Sequence, residues 1–323
     1  MDLHRITLQP ADPTIHFAAI AALMTSQETE PTTESSLLDW YNRQLELGIQ
    51  FTVAVDPDGL VRGFNGIYRE NLNRDRLYGI YLIVEPDSRG CGLGSLLFDD
   101  LMTRSDGLGA RTLRIRVRDN SAEGIRFATH RGFTQKKHSV EMMFDLSTWD
   151  EHRYEEILQA VQAQGFHLTN MAELGDTQDH RRELYTLNST ASATDPGSDG
   201  TPPWASYDDF EKNVCNTYWY HPDAQFIAID SRNGKWAAMS AITVFAGADH
   251  AYNLFTGTDV RYRGRNLAQA VKTLALRKAR TYGVGTVRTS HNSENVAMIA
   301  IDTKLGYKFM PGTFTMEKDL THA

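Results

Sequence analysis

Cysteine is scarce in this sequence. Its 323 residues include two cysteines, Cys91 and Cys215, and neither belongs to a CxxC pair. Disulfide-rich domains and structural zinc sites need clusters of cysteine at short, regular spacings. The sequence therefore indicates neither a disulfide framework nor a metal site.

Long apolar runs and an excess of basic residues are also lacking. No apolar run approaches the roughly 18 residues of a membrane span, and the opening residues 1–6 carry no apolar signal core. The formal net charge is −8, whereas proteins that bind nucleic acid usually present a basic face. We expect a cytoplasmic protein with no membrane and no nucleic-acid partner.

Length and periodicity predict two α/β domains. A chain of 323 residues with 41% hydrophobic residues can bury two separate cores. Alternation and helical spacing predict strands and helices in turn. The strands are expected at 4–9, 51–55, 61–68, 78–84, 112–117, 140–146, 166–171, 226–230 and 236–245, and the helices from 12, from 35, and at 93–104, 121–130, 150–164, 179–187 and 207–214.

One stretch, from Tyr78 to Leu101, has the pattern of an anion-binding site. An apolar strand at 78–84 is followed by a glycine-containing loop at 85–94 and then by an amphipathic helix. A helix start leaves backbone N–H groups unpaired, and its dipole favours negative charge. Taken alone, the stretch is equally compatible with a tight turn that leads into a helix.

A second copy of the pattern decides between these readings. Arg89-Gly90 recurs as Arg263-Gly264 (263 − 89 = 174), and Gly132-Phe133 recurs as Gly306-Tyr307 (306 − 132 = 174). Two landmarks at one offset indicate a tandem duplication. We predict an N-terminal domain at 1–149, a linker helix at 150–164 and a C-terminal domain at 165–323.

The repeated motifs resemble those of the GNAT-type N-acetyltransferases. In the first half they are Val84-x-Pro-x-x-Arg89-Gly-x-Gly92-x-Gly94 and Asn120 through Gly132-Phe133; the second half has Arg263-Gly-Arg-Asn-Leu-Ala268 and Asn292 through Gly306-Tyr307. The resemblance implies two tandem GNAT folds, each a central mixed, mostly antiparallel sheet flanked by helices. It also implies transfer of an acetyl group from acetyl-CoA (coenzyme A) to the amine of a small-molecule acceptor, which attacks the thioester directly.

The same resemblance assigns residues to the coenzyme. In the first half these are the strand end and the loop, with one asparagine beyond the next strand: Leu82, Ile83, Val84, Arg89, Gly90, Cys91, Gly92, Leu93, Gly94, Ser95 and Asn120. In the second half they are Thr258, Arg263, Gly264, Arg265, Asn266, Leu267, Ala268, Asn292 and Asn295. Gly92 is replaced by Asn266, the non-glycine residue type that best tolerates positive φ. We expect binding in the first half and leave it open for the second.

Neither half carries the acid–base pair that is common in this family. Tyr78 and Tyr252 stand where a glutamate base is usual, and Ala128 and Asp302 stand where a tyrosine acid is usual. Acetylation of an amine requires that the amine lose a proton and that the thiolate gain one. The candidate substitutes are Tyr78, Glu85 and Glu70 in the first half and Tyr252, Asp259 and Asp302 in the second, or ordered water.

Each candidate also has an ordinary structural interpretation. The two tyrosines favour strands and can pack at the rim of a core, and the acids can be solvated or paired. His130 and His291 fit a general base, but a single histidine is more often structural. The competing class of function is a CoA-binding or purely structural protein in which one or both halves are inactive. A monomer or a homodimer is expected, and the acceptor side is assigned to the segments around 20–50 and 190–222.

Overall fold

The computed structural model describes residues 3–27, 31–70, 75–196, 198 and 200–321. They form two compact units. The first unit contains the chain up to His138 together with the residues from Pro311 onward, and the second unit contains Ser139–Met310.

The first part of the chain alternates strands and helices, as the sequence predicts. The elements are β1 (Thr7–Pro10), α1 (Pro13–Thr25), α2 (Glu34–Gln44), β2 (Gln50–Val55), β3 (Val61–Arg69), β4 (Leu77–Val84), α3 (Leu93–Gly107), β5 (Thr112–Arg118), α4 (Ala122–His130) and β6 (Thr134–Asp145).

The second part repeats this order after one additional helix. Its elements are α5 (Glu151–Gln162), β7 (Phe166–Asn170), α6 (Gln178–Ala193), α7 (Tyr207–Phe210), β8 (Gln225–Asp230), β9 (Lys235–Thr243), β10 (Ala251–Thr258), α8 (Leu267–Ala279), β11 (Thr286–Asn292), α9 (Val296–Leu305) and β12 (Lys308–Asp319). Among the described residues, no helix has the length and apolar character that crossing a membrane requires.

Local signals in the sequence set several of these boundaries. Asp12 accepts the backbone N–H of Thr14 and precedes Pro13, so α1 begins where the sequence predicts. The hairpin between β2 and β3 turns at Asp56, whose Oδ1 accepts the N–H groups of Asp58 and Leu60. These are short-range interactions, which explains why the sequence alone located them.

Two strand predictions needed correction. The first strand was expected to begin at His4, but Leu3–Arg5 is a short 3₁₀ helix and pairing starts at Thr7, opposite Val55 at the end of β2. Strand β6 was expected from Val140 and begins six residues earlier at Thr134. Its first four residues are exposed, so they carry no apolar alternation that would reveal a strand.

The sheet of the first unit has the order β1-β2-β3-β4-β5-β12. Strands β4 and β5 are parallel, and the other neighbours are antiparallel. Helix α3 packs on this sheet, with Leu97 and Leu101 fully buried. The partner of β5 is the last strand of the chain, since Met316 pairs with Ile115.

The sheet of the second unit has the equivalent order β7-β8-β9-β10-β11-β6. Strands β10 and β11 are its parallel pair, and residues 139–145 of β6 run antiparallel to β11. Helix α5, expected as a linker, packs within this unit: Tyr154 is buried and its hydroxyl donates to the carbonyl of Leu305 at 2.5 Å. The predicted fold class, two tandem folds with mixed and mostly antiparallel sheets, is confirmed.

The repeat is present in the structure at the offset read from the sequence. Strands β3, β4 and β5 begin at 61, 77 and 112, and their counterparts β9, β10 and β11 begin at 235, 251 and 286, in each case 174 residues later. Most of the last strand of each half nevertheless lies in the other compact unit: β6 from Ser139 onward and β12 from Pro311 onward. The boundaries 1–149, 150–164 and 165–323 therefore stay a prediction about the units of duplication, not a description of the compact units.

The position of β12 leads to a test on a single strand. Met316 is buried in the core of the first unit, whereas Phe309 on the same strand is 62% exposed. We expect Met316→Ala to lower the free energy of unfolding of the first unit by about 2–5 kcal/mol. Phe309→Ala should change the same free energy by less than about 0.5 kcal/mol. Hydrogen exchange of the β5 amides measures both effects. Equal protection of β5 in the two variants would contradict the placement of β12.

Candidate active site

The parallel strands of each unit separate toward their carboxyl ends. In the first unit, β4 and β5 are paired from Leu77 through Ile80. In the second unit, β10 and β11 are paired only at Ala251 and Tyr252, and β10 is irregular between Asn253 and Phe255. Because Ile80 is equivalent to residue 254, the strands of the second unit separate two residues earlier. One edge of β10 is thereby left without a strand partner.

A cleft of about 370 Å³ lies where β10 and β11 diverge. Its walls come from the end of α6, from β10, from the loop before α8, from β11 and from α9. The lining residues include most of the second-half coenzyme candidates: Thr258, Arg263, Gly264, Asn266, Leu267, Ala268, Asn292 and Asn295. The structure therefore brings these candidates together around one opening.

The loops before α3 and α8 share one backbone conformation. Gly90 and Gly264 have φ of 74° and 77°, and Gly92 and Asn266 have φ of 96° and 63°. The expectation that Asn266 can take the place of a glycine with positive φ is confirmed. Neither Gly92 nor Asn266 caps its helix through a side-chain hydrogen bond. The N–H groups of the first helical turn are therefore free of side-chain caps in both units, as an anion site requires.

One side chain at the end of β10 has an unmet hydrogen-bonding capacity. Thr258 lines the cleft, and its hydroxyl oxygen is buried and has no hydrogen-bond partner among the described residues. A buried polar atom without a partner costs about 1–3 kcal/mol. A polar ligand group in the cleft would satisfy it, and the amide-containing arm of acetyl-CoA has groups of that kind.

In the first unit, residues around the loop form hydrogen bonds and close contacts with their neighbours. Arg89 donates from Nε to the carbonyl of Val84 at 3.1 Å, and the Cys91 thiol donates to the carbonyl of Ser88 at 3.0 Å. Ser95 accepts a hydrogen bond from Arg131 at 2.7 Å. Phe127 lies so close to Gly94 that a Cβ there would be 3.1 Å from its ring.

The other first-half candidates divide between the strand end and a turn. Leu82, Ile83 and Val84 form the end of β4, and Leu93 is buried at the start of α3. Asn120 lies in an exposed turn just before α4.

Three polar candidates of the second half have partners within the unit. Arg263 donates to the hydroxyl of Thr194 at 2.8 Å. Asn295 caps α9 by accepting the N–H of Met298 and donates to Asp195. The guanidinium of Arg265 lies 5.8 Å from the ring centre of Tyr262 and 5.9 Å from that of Phe166, and it does not line the cleft. Thr194 and Asp195, at the end of α6, thus form hydrogen bonds with two walls of the cleft, the loop before α8 and the start of α9. The sequence did not predict these contacts.

Tyr78 packs away from the loop. Its ring is buried, and its hydroxyl donates at 3.5 Å to the carbonyl of Leu108, just beyond the carboxyl end of α3. The loop at 85–92 lies at the opposite end of that helix. The structural reading of Tyr78 is therefore the simpler one.

The acidic candidates of the first unit are ion-paired. Glu85 accepts from Arg62 at 2.8 Å, and Glu70 accepts from Arg114 at 3.1 Å. Burial lowers the pKa of Arg114, but the surrounding carboxylates outweigh it and raise that pKa overall.

In the second unit, Tyr252 and Asp259 have different surroundings. Tyr252 donates to the hydroxyl of Ser290 at 2.9 Å, and Ser290 lines the cleft. Asp259 is buried and accepts from Arg261 at 2.6 Å. Hydrogen bonding from Arg261 lowers the pKa of this carboxyl.

Asp302 belongs to a buried charged cluster. It is 0% exposed. One of its carboxylate oxygens lies 2.6 Å from Nζ of Lys272, and the other lies 2.5 Å from Nε2 of His291. Burial raises the pKa of Asp302, but the charges of Lys272 and His291 outweigh it and hold that pKa below its ordinary value. Burial lowers the pKa of Lys272 against the opposing charge of Asp302.

Lys272 was not among the residues expected at the site. It lies in a segment of α8, Leu267 to Leu276, in which no other residue is charged, and it is 1% exposed. A lysine on the buried face of a helix is rare unless it is paired. Helical spacing could have shown from the sequence that position 272 is buried. It could not have shown that the partner is Asp302 on α9.

The comparisons with known proteins agree with the fold. Residues 17–133 match the family model described as "Acetyltransferase (GNAT) family". YwnH of Bacillus subtilis (strain 168), which is named as a candidate phosphinothricin acetyltransferase, is 26% identical over 125 residues, 38% of this chain and 75% of that protein.

Solved structures cover nearly the whole chain. A GCN5-related N-acetyltransferase from Sphaerobacter thermophilus has 18% sequence identity and a TM-score of 0.72, over 98% of this chain and 96% of that one. A tandem GNAT protein from the clavulanic acid biosynthesis pathway has 16% identity and a TM-score of 0.71, over 97% and 98% of the two chains. The protein therefore has a GNAT-type acetyltransferase fold. Both units carry this fold, as the solved tandem GNAT structure does over nearly its whole length, and the family match lies within the first half of the chain.

The start of α8 leads to a prediction about stability. Asn266 has a φ of 63°, a conformation that costs most L-residues about 1–2 kcal/mol but costs asparagine less and glycine almost nothing. We expect Asn266→Ala to destabilise the second unit by about 1 kcal/mol and Asn266→Gly to leave it unchanged or slightly more stable. Amide exchange in α8 reports the difference. A loss of stability in the glycine variant equal to that in the alanine variant would argue against the left-handed conformation.

The buried ion pair leads to a second prediction, with a control supplied by the repeat. The residues equivalent to Lys272 and Asp302 in the first unit are Phe98 and Ala128. Removing one member of a buried pair typically costs about 3–5 kcal/mol, so Lys272→Met should destabilise the second unit by that amount. The double variant Lys272→Phe/Asp302→Ala should recover most of the loss, because an apolar pair of similar volume often replaces an ion pair without cost.

The same pair has a pH dependence of known sign. The charges of Lys272 and His291 lower the pKa of Asp302 on folding, from its ordinary value of 3.8. Its stabilising contribution is therefore complete above that value and is lost as the pH falls through the lowered one. Amide exchange at a series of pH values should show a steeper acid loss in the wild-type protein than in the double variant. Parallel acid profiles would show that the carboxyl does not ionise as described.

Proposed function

We propose that the protein transfers an acetyl group from acetyl-CoA to the amine of a small molecule, and that the reaction takes place in the cleft of the second unit. The observation that carries the proposal is the combination of the diverging strands β10 and β11 with an uncapped helix start at α8. The cleft contains the orphaned hydroxyl of Thr258 as well. A pre-formed opening with a few convergent polar groups is the usual form of a small-molecule site.

Each part of the cleft suits one part of the coenzyme. The backbone N–H groups at the start of α8 and the loop Arg263–Asn266 would hold the pyrophosphate. The free edge of β10 would bind the pantetheine arm as an added strand does. The N–H of Thr258, like that of Val84 in the first unit, would donate to the thioester oxygen as negative charge develops on it. Acetyl-CoA itself supplies the activated acyl group.

The first unit is proposed to bind the coenzyme without turnover. Its loop has both glycines with positive φ, and it carries the family match. Its parallel strands stay paired two residues farther than those of the second unit, and its candidate tyrosine, Tyr78, packs against Leu108. These observations favour the alternative function, an inactive CoA-binding unit, for the first half only.

The acceptor is proposed to be a small amine that approaches from the side of α6. Residues Ala191, Asp195 and Pro196, at and beyond its carboxyl end, line the cleft. Asp195 places a carboxylate there, and the chain as a whole has a net charge of −8. Both features favour a cationic acceptor, because opposite charge raises its local concentration.

A matched pair of substitutions tests where the coenzyme binds. A Cβ at Gly90 or Gly264 would meet nothing within 4 Å, and aspartate and asparagine both tolerate positive φ. Gly264→Asp should weaken acetyl-CoA binding at the second site at least tenfold, since the carboxylate repels the pyrophosphate, whereas Gly264→Asn should have little effect. Isothermal titration of acetyl-CoA measures both. The pair Gly90→Asp and Gly90→Asn tests the first site in the same way.

The result assigns the reacting unit. If Gly264→Asp removes turnover of acetyl-CoA with a panel of primary amines while Gly90→Asp preserves it, the second unit is the site of reaction. If Gly264→Asp has wild-type affinity and turnover, the proposal for the second unit is wrong.

A further inference from the structure

The charged cluster of Lys272, Asp302 and His291 in the second unit reaches the cleft through His291. His291, near the end of β11, lines the cleft and has a side chain that is 10% exposed. Asp302 and Lys272 lie behind it and are 0% and 1% exposed. The equivalent residues of the first unit are Val117, Ala128 and Phe98, none of which ionises. The cluster is therefore a property of the second unit and not a requirement of the fold.

The contacts of His291 define which of its nitrogens holds the proton. Nε2 lies 2.5 Å from Oδ2 of Asp302, and the pKa of that carboxyl is lowered, so it is an ionised acceptor. In the neutral imidazole, Nε2 therefore carries the hydrogen and donates it to Asp302, which leaves a lone pair on Nδ1. Nδ1 makes no hydrogen bond with any described residue and is not enclosed.

We propose that His291 is the proton-transfer residue of the second unit and that Asp302 and Lys272 are its positioning residues. The proposal rests on the function proposed above. The acceptor reacts as the neutral amine, after its ammonium form has released one proton to solvent. Nδ1 then accepts a second proton from that nitrogen as the N–C bond to the acetyl carbonyl carbon forms. When the C–S bond breaks, its electron pair stays on sulfur, and the imidazolium returns the proton there. The products are the N-acetylated amine and the free thiol of CoA, so protons and electrons balance.

The groups around His291 fit this role. On α8, the ammonium of Lys272 neutralises Asp302, so the carboxylate fixes the imidazole without adding net negative charge behind it. The ring of Tyr307 lies 5.1 Å from that ammonium, and burial raises the pKa of its hydroxyl, which keeps it neutral.

Further ionisable groups lie on neighbouring strands and in the lining of the cleft, Arg263 of the loop before α8 among them. Glu141 on β6 pairs in register with Ser290, and Arg288 lies on β11 itself. Tyr252 on β10 is bonded to Ser290, and Asp195 lies at the mouth of the cleft, bonded to Asn295. Any of these could contribute an ionisation to a rate profile, so the test has to remove His291 itself.

The test compares three variants of the full chain. His291→Gln removes the base, and His291→Val inserts the residue of the first unit. His167→Gln is the control, because His167 is an exposed histidine on β7 of the second unit. Removal of a general base typically lowers the rate about 10²–10⁴-fold. We expect both His291 variants to lose kcat by about that factor and to keep acetyl-CoA affinity within twofold, measured by calorimetry. The control should match the wild type in both.

Two further readouts separate proton transfer from a structural role. Acetylation of primary amines, followed by thiol release, should depend on one ionisation that disappears in His291→Gln. In Lys272→Phe/Asp302→Ala, kcat should fall about tenfold with KM unchanged. Independently of any acceptor, ¹⁵N NMR of the imidazole should show the proton of neutral His291 on Nε2, with a change in its shift when acetyl-CoA binds.

The outcomes distinguish the two proposals. If the wild-type protein does not bind acetyl-CoA in the second unit, the proposed function fails and the role of His291 fails with it. If it binds and reacts while His291→Gln keeps the wild-type kcat and pH profile, the function stands and this inference is overturned. A proton found on Nδ1 would also overturn it, even if no amine in the panel is consumed.

Discussion

The candidate site depends on one constraint, a single parallel strand pair inside each otherwise antiparallel sheet. Parallel strands need a crossover, and here the crossovers are helices α3 and α8, which begin at the carboxyl ends of β4 and β10. The helix start, with its free N–H groups, is therefore placed beside the point where the two strands can separate. In the second unit the separation comes early enough to leave a cleft of about 370 Å³.

The buried ion pair shows how two copies of one fold have diverged. Phe98 and Ala128 fill the space in the first unit that Lys272 and Asp302 fill in the second. A buried pair rarely adds net stability over an apolar pair of similar size, since desolvation offsets the attraction. The contact of Asp302 with His291 beside the cleft therefore supports the positioning role proposed for the pair, in preference to a role in stability alone.

The two compact units do not coincide with the two halves of the duplicated sequence. Strand β12 completes the sheet of the first unit, and part of β6 completes that of the second. Each half thus lacks its own last strand within its compact unit, so neither half of the sequence is a complete folding unit by itself.

The sequence by itself determined the repeat, the fold class and the position of the two glycine-containing loops before α3 and α8, because these depend on short-range signals: residues with positive φ, helix caps and the period of apolar residues. It even indicated that Asn266 could replace a glycine. Only the tertiary structure decided the exchange of the last strands, the early separation of β10 from β11 and the contact of Lys272 with Asp302 and His291. Those features join residues that are distant along the chain, and no local spacing encodes which strand edges and helix faces meet.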